Sequence, residues 1–215
     1  MKYELNQIIH ADCMDIMKDI PDKYFELAIV DPPYGINMAN GAHSNLKKLG
    51  NKDWDIQTPD NAYFSELFRV SENQIIWGGN YFTNKLPVSR GWIFWDKKIT
   101  NSTSPNFSDG ELAWTSFDKI LKRFVYDWIG FGYLNNPAGE KKIHPTQKPV
   151  ALYRWLLQNY AKPGDKIIDT HSGSGSCAIA CHLEKFDFLA IEKDEDYYKA
   201  SVKRLEEIRS QGVLF

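Results

Sequence analysis

The chain has little cysteine, no long apolar run and almost no net charge, and each shortage removes a class of protein. Its three cysteines, Cys13, Cys177 and Cys181, match neither a zinc spacing nor a disulfide framework. A sparse, odd set fits a reducing cytoplasm, and no bound metal is expected. No stretch approaches the apolar length that spans a bilayer, and the opening residues MKYELNQ lack the pattern of a secretory signal. No membrane association is therefore expected. A net charge of −2 argues against a protein that coats nucleic acid by charge alone, while leaving room for a local basic face. Internal repeats and low-complexity tracts are also missing.

What is present is enough apolar material, 43% of 215 residues, for one well-buried domain but not for two large ones. Strand-like runs fall at Gln7–His10, Leu27–Val30, Gln74–Trp77, Trp92–Trp95, Leu112–Thr115, Lys166–Asp169 and Phe188–Glu192. Helical spacing fills Asp12–Ile20, Asn61–Val70, Val150–Tyr160, Ser176–Leu183 and Tyr197–Ile208. Strands that alternate with helices predict an α/β fold, an open and mostly parallel sheet covered on both faces.

The stretch ELAIVDPPYG, residues 26–35, carries the first chemical signal. A buried strand ends at Asp31, Pro32, Pro33 and Tyr34. Prolines stiffen the backbone and leave carbonyls that no neighbouring proline N–H can meet. The Asp31 carboxylate and the Pro32 carbonyl are thus two acceptors aimed at one place, beside an aromatic face. That combination suits an amino group on a planar base.

The second signal is KIIDTHSGSGS, residues 166–176. A strand ending at Asp169 leads through Gly173 and Gly175 into a helix, and about 20 residues on a second strand ends at Glu192. Glycines let a ligand approach the backbone, and an acid at that distance accepts hydrogen bonds from ribose hydroxyls. An adenosine-type cofactor follows. The glycine spacing alone does not separate NAD from S-adenosyl-L-methionine, but a dehydrogenase has no need of Asp31-Pro32-Pro33-Tyr34. After Glu192 a single helix follows, so the next strand must come from the N-terminus. Read in a circle, strands end near Asp169, Glu192, Asp12 and Asp31, each with an acid.

These motifs, together with His144-Pro145-Thr146-Gln147-Lys148-Pro149, resemble the β-class amino-methyltransferases of DNA, the D-P-P-Y type, over nearly the whole chain. The resemblance implies a Rossmann-like methyltransferase fold with a seven-stranded, mostly parallel sheet, a reversed hairpin near one edge and a circularly permuted motif order. It implies S-adenosyl-L-methionine as cofactor and S-adenosyl-L-homocysteine as product. Asp12 is then placed at the adenine, Asp169 at the methionine end, and His144, Thr146 and Lys148 at its carboxylate, with Asp31 between cofactor and amine. One position departs from the family: Thr170-His171 stands where Pro-Phe is usual.

The expected reaction is methyl transfer to the N6 amino group of a flipped adenine in double-stranded DNA. Asp before the two prolines is commoner with adenine, Ser with cytosine. The alternatives are N4-cytosine methylation and an inactive cofactor-binding subunit. C5 methylation is rejected, because none of the three cysteines follows a proline in a strand-end loop. The whole chain, 1–215, is expected to form one methyltransferase domain with DNA-contacting insertions at 36–57 and 116–143. Lys47, Lys48 and Lys52 in the first, and Lys119, Lys122 and Arg123 among the rings of the second, are the expected phosphate contacts. A homodimer and a restriction endonuclease are further candidate partners.

Overall fold

The computed structural model of the chain describes residues 2–37, 54–97, 108–128, 140 and 142–211. Eight strands form the sheet: β1 (Gln7–His10), β2 (Phe25–Val30), β3 (Ser71–Trp77), β4 (Trp92–Asp96), β5 (Gly110–Thr115), β6 (Lys122–Val125), β7 (Lys166–Asp169) and β8 (Asp187–Glu192). The helices are α1 (Cys13–Met17), α2 (Asn61–Val70), α3 (Val150–Tyr160), α4 (Ser176–Glu184) and α5 (Glu195–Gln211). The strands bond in the order β1-β8-β7-β2-β3-β5-β4-β6. Every neighbouring pair is parallel except the two that involve β5.

The seven strands expected become eight. The extra one is β6, whose residues KRFV open on two charges and lack an apolar run that would read as a strand. It forms because the edge of β4 offers a parallel register, Ile93 opposite Lys122 through Asp96 opposite Val125. The reversed element expected near one edge is the β4–β5 pair.

A parallel strand covered on both faces needs apolar residues at successive positions, and β2 supplies them. Leu27 and Ile29 point to the side of α3, α4 and α5, where they join Leu152, Leu156, Ile179 and Leu205. Ala28 and Val30 point to the side of α1 and α2, with Met17, Phe64 and Leu67. Each such buried aliphatic side chain contributes about 1.5–3 kcal/mol relative to exposure. α1 ends at Met17 rather than Ile20 because Arg69 takes the carbonyls of both residues, each at 2.7 Å. A guanidinium from α2 thereby supplies the Met17 carbonyl with a donor that Pro21, which has no N–H, cannot.

The circular reading of the chain is realised in β1, β8, β7 and β2, which lie side by side in that order. From β7 the chain crosses by α4 to β8 on one side; from β2 it crosses by α2 to β3 on the other. A crevice opens where two parallel neighbours part in this way, outside their carboxyl ends. Asp169 ends β7 and Asp31 follows β2, one acid on each lip.

Candidate active site

Asp31 has both carboxylate oxygens engaged. Oδ1 accepts from the Tyr34 hydroxyl at 2.6 Å, and Oδ2 from the Lys148 ammonium at 2.5 Å. Lys148 is buried, its side chain 3% exposed, and also lies 3.0 Å from Glu111 Oε2. Glu111 Oε1 in turn accepts from Lys97 at 2.6 Å. The charges Lys97, Glu111, Lys148 and Asp31 therefore run as one alternating chain drawn from the ends of β4, β5, α3 and β2. Burial raises the Asp31 carboxyl above its ordinary value, with Lys148 pulling the other way. Burial alone would lower the Lys148 ammonium, but the two carboxylates beside it more than offset this and keep it charged. Burial likewise acts to raise Glu111, yet the lysines on either side hold it at about 2. Glu111 and Lys97 belong to no motif. The signal in the sequence was an acid inside the apolar run GELAWT and a lysine just after WIFWD.

The turn after Asp31 is held by a second buried acid. Asp55 Oδ1 accepts from the backbone N–H of Tyr34 at 2.7 Å and of Gly35 at 2.9 Å. The Tyr34 ring stacks on Tyr81, with centroids 4.9 Å apart and planes 14° from parallel. Its edge lies so close to Gly78 that a Cβ there would come within 2.1 Å of it. Gly78 also has φ +68°, a left-handed conformation that glycine takes without cost. Tyr34 can sit where it does because residue 78 has no side chain.

A cavity of about 650 Å³ opens between the lips of the crevice. Of the residues expected at a cofactor, Asp12, Asp31, His144, Thr146, Lys148, Gly173 and Glu192 line it. Glu192 accepts from the N–H of Gly173 at 2.7 Å and of Asp194 at 2.8 Å. Asp12 caps α1 through the Met14 N–H at 2.9 Å and meets Lys193 at 2.8 Å. His144 is packed between Trp54 and Tyr197, with Nδ1 3.2 Å from the Thr146 hydroxyl. Burial, with Lys148 and Lys142 adding to it, lowers its imidazole to about 3, so the ring is neutral.

Two expected residues stand behind the wall instead. Asp169 is buried and accepts from the His171 N–H at 3.1 Å; burial raises its carboxyl to about 8. Gly175 starts α4 with φ +73°, and a Cβ there would lie 3.0 Å from Ser201 Cβ, so its bareness serves helix packing rather than a ligand. Gly173 is the glycine with open space, its nearest obstacle being the His144 ring at 3.6 Å. Lys148 reaches this cavity, but its ammonium is given to Asp31 and Glu111 rather than left for a carboxylate of a ligand. Sequence reasoning missed Trp54, Tyr63, Ser172 and Tyr197, all of which line the cavity. Trp54 Nε1 and Ser172 Oγ are buried with no hydrogen-bond partner among the described residues, two polar atoms that a ligand would satisfy. With this fringe of acids and bare backbone, the residues fit a nucleoside cofactor.

A second cavity, about 780 Å³, adjoins the first. Asp31, Pro32, Pro33 and Tyr34 line it together with Tyr81 and Phe94. The two cavities share Asp31, Pro33, Trp54, Thr146, Gln147 and Lys148. Asp31 stands on the wall common to both.

Residues 96–203 match the model of a family described as DNA methylase, the N6/N4 methyltransferases. The match spans half of the chain and takes in Glu111, Lys148 and the glycine loop. The chain belongs to the N6/N4 DNA methylase family. Over 95% of its length it is 26% identical to the type II methyltransferase M.HinfI of Haemophilus influenzae, covering 69% of that protein. It is 24% identical to the type II methyltransferase M2.MboI of Moraxella bovis, over 94% of this chain and 88% of that one. Among solved structures, the complex of M1.HpyAVI with SAM superposes with a TM-score of 0.59 at 26% identity, over 93% of this chain and 98% of that one. The cytosine-N4-specific PvuII DNA methyltransferase shares the fold, with a TM-score of 0.60 at 13% identity over 95% of this chain and 91% of that one.

In this methylase the unusual Thr170-His171 pair is built into the wall of the cofactor cavity. The Tyr63 hydroxyl lies 2.7 Å from Thr170 Oγ1, which lies 2.9 Å from His171 Nδ1. Burial lowers the His171 imidazole to about 4, so it stands as a neutral ring where the family usually has a phenyl.

The expected DNA contacts fare differently. Lys47, Lys48 and Lys52 lie outside the described residues, as does most of 36–57. Lys119, Lys122 and Arg123 are not brought to the site. β5 runs opposite to its neighbours, so residues after Thr115 emerge at the amino end of the parallel strands, away from Asp31. There Lys119 donates to the Asn159 carbonyl at 3.0 Å and lies 4.5 Å over the Tyr160 ring. Lys122 and Arg123 stand on β6, Phe124 and Tyr126 pack partly buried against the core, and the buried Trp128 lines the second cavity.

Proposed function

We propose that this methylase transfers a methyl group from S-adenosyl-L-methionine to the N6 amino group of adenine in DNA. The observation that carries the reading is Asp31, a buried carboxylate at the shared wall of a nucleoside-sized cavity and an aromatic one. S-adenosyl-L-methionine supplies an electrophilic methyl group when bound. Glu192 would receive the ribose hydroxyls, Asp12 the adenine edge and Gly173 the close approach of the ligand. Ser172 Oγ and Trp54 Nε1 would gain the partners they lack.

An exocyclic amine is a poor nucleophile because its lone pair is delocalised into the ring. The Asp31 carboxylate and the Pro32 carbonyl would each accept one N–H and hold the nitrogen out of that conjugation. The lone pair then faces the first cavity, and positioning and electrostatics carry the rate without a covalent enzyme intermediate. Asp31 is placed to take the proton released after transfer. In a duplex the amine is paired, so the base must be extruded, at a cost of a few kcal/mol. The second cavity, walled by Tyr34, Tyr81 and Phe94, suits a planar base. Lys47, Lys48 and Lys52 remain the proposed phosphate contacts, since their segment follows the catalytic turn directly.

Mass analysis of nucleosides from DNA of expressing cells tests the reading. N6-methyladenine from the wild type and none from Asp31→Ala, with S-adenosyl-L-homocysteine binding retained, is the expected result. N4-methylcytosine would assign the other amine, and no methylated base at all would leave a cofactor-binding subunit.

A further inference from the structure

Both oxygens of Asp31 already accept a hydrogen bond, and although each keeps a further lone pair, the one beside a cation is a weakened acceptor for any amine that must bind there. A neutral N–H does not displace a buried ammonium at 2.5 Å unless the ammonium has somewhere to go. Glu111 is that place. We propose that Glu111 is the second seat of Lys148: when the target amine enters, the ammonium leaves Asp31 Oδ2 for Glu111 Oε2, and the freed oxygen accepts from the amine. The inference rests on the amine-methylation reading above.

The geometry supports a short transfer. Glu111 Oε2 lies 3.0 Å from Lys148 Nζ in a poorly aligned contact, and no other donor among the described residues meets it. The ammonium is aimed at Asp31 and Tyr34, beside a carboxylate it only half serves. Rotation of the terminal torsion re-aims its three N–H groups with little movement of nitrogen. Lys97 anchors the other oxygen of Glu111, so the seat stays fixed. The rings of Trp77 and Tyr34, 5.4 and 5.7 Å from Nζ, accept a cation anywhere along the path. Facing this ammonium are Asp31 and Tyr34 after β2, Glu111 on β5, Lys97 after β4, Asp169 on β7, Tyr153 on α3 and His144 of its own loop. Glu111 acts through Lys148 and is a positioning residue.

The test compares wild type with Glu111→Gln, Glu111→Asp and Lys97→Met, measuring kcat, KM for DNA and S-adenosyl-L-homocysteine affinity across pH. For Glu111→Gln, kcat should fall by about ten- to a hundredfold, the effect of uncharging one charge-assisted hydrogen bond. KM and cofactor-product affinity should hold. The deficit should shrink as pH rises, because without Glu111 the lysine loses its proton more easily, and a neutral amine no longer competes for Asp31. Glu111→Asp should restore most of the rate. Lys97→Met, which loosens the seat without removing it, should show a smaller loss with the same pH trend. A wild-type kcat in Glu111→Gln overturns the proposal. So does a deficit that is equal at every pH and not rescued by aspartate. If Glu111→Gln does not fold, a wild-type rate in Lys97→Met overturns it. A wild type that methylates no DNA refutes the reaction itself, and this inference with it; an active wild type with an indifferent Glu111 refutes the inference alone.

Discussion

Lys148→Met removes the ammonium at the centre of the site while keeping most of the side chain's bulk. Asp31 is then left buried with the Tyr34 hydroxyl as its donor, and Glu111 keeps Lys97. Removing one member of a buried ion pair costs about 3–5 kcal/mol, because the remaining charge has lost its compensation. For a chain of this size that is a fall in Tm of roughly 6–20 °C. The loss should depend on pH. Burial already raises Asp31 in the folded chain, and Lys148 is the main influence against it, so its removal raises Asp31 further. A carboxyl raised in the folded state binds its proton there before it does in the unfolded chain. Stability then falls as pH rises through the interval between the unfolded and folded pKa values, and recovers as pH is lowered. Thermal unfolding by calorimetry from pH 5 to 8 should show the variant closest to wild type at the acid end. The double variant Lys148→Met/Asp31→Asn should regain much of the loss at neutral pH, because two uncharged groups of similar shape replace the pair. Equal destabilisation at every pH, or a double variant no better than the single one, would refute the account of this network.

Other expectations follow from single contacts. Glu192→Ala should weaken S-adenosyl-L-homocysteine binding by roughly 1.5–3 kcal/mol, the worth of hydrogen bonds to a charged acceptor; titration calorimetry with unchanged affinity would count against its placement at the ribose. Gly78→Ala should lose methyl transfer while retaining product-cofactor affinity, since the added methyl overlaps the Tyr34 ring on the side of the second cavity. Left-handed strain adds a stability cost of about 1–3 kcal/mol there, and a fully active Gly78→Ala would show that Tyr34 need not sit where it does.

The sheet was legible where residues carry their own instructions. Lys166–Asp169 and Val150–Tyr160 fall at the expected boundaries because a buried strand and a proline-started helix are local matters. β6 was not legible, because it owes its existence to the free edge of β4 rather than to its own four residues. The same division holds at the site. Asp31, Gly173 and Glu192 could be placed from motif and spacing, since strand ends and a glycine turn fix them. Glu111, Lys97, Asp55 and Gly78 could not, because each matters through a contact with a residue distant in sequence. The place of Lys119, Lys122 and Arg123 in the fold was not legible for a related reason: charge and aromatic content do not reveal which end of a sheet a reversed strand exits.

The circular order of the strands also sets a timetable. β1 and β2 are made well before their partners β8 and β7. At a synthesis rate of ~5–20 residues per second, roughly ten seconds separate the emergence of β2 from that of β7. During that interval Leu27, Ala28, Ile29 and Val30 have only β3 to pair with, and the opposite edge of β2 presents open N–H and C=O groups. The seam beside Asp31 thus closes late, and only the seams of β8 with β1 and β7 close after it. Contacts of such long sequence separation make folding slow, and a nascent chain of this design has an adhesive strand edge exposed until its cofactor half arrives.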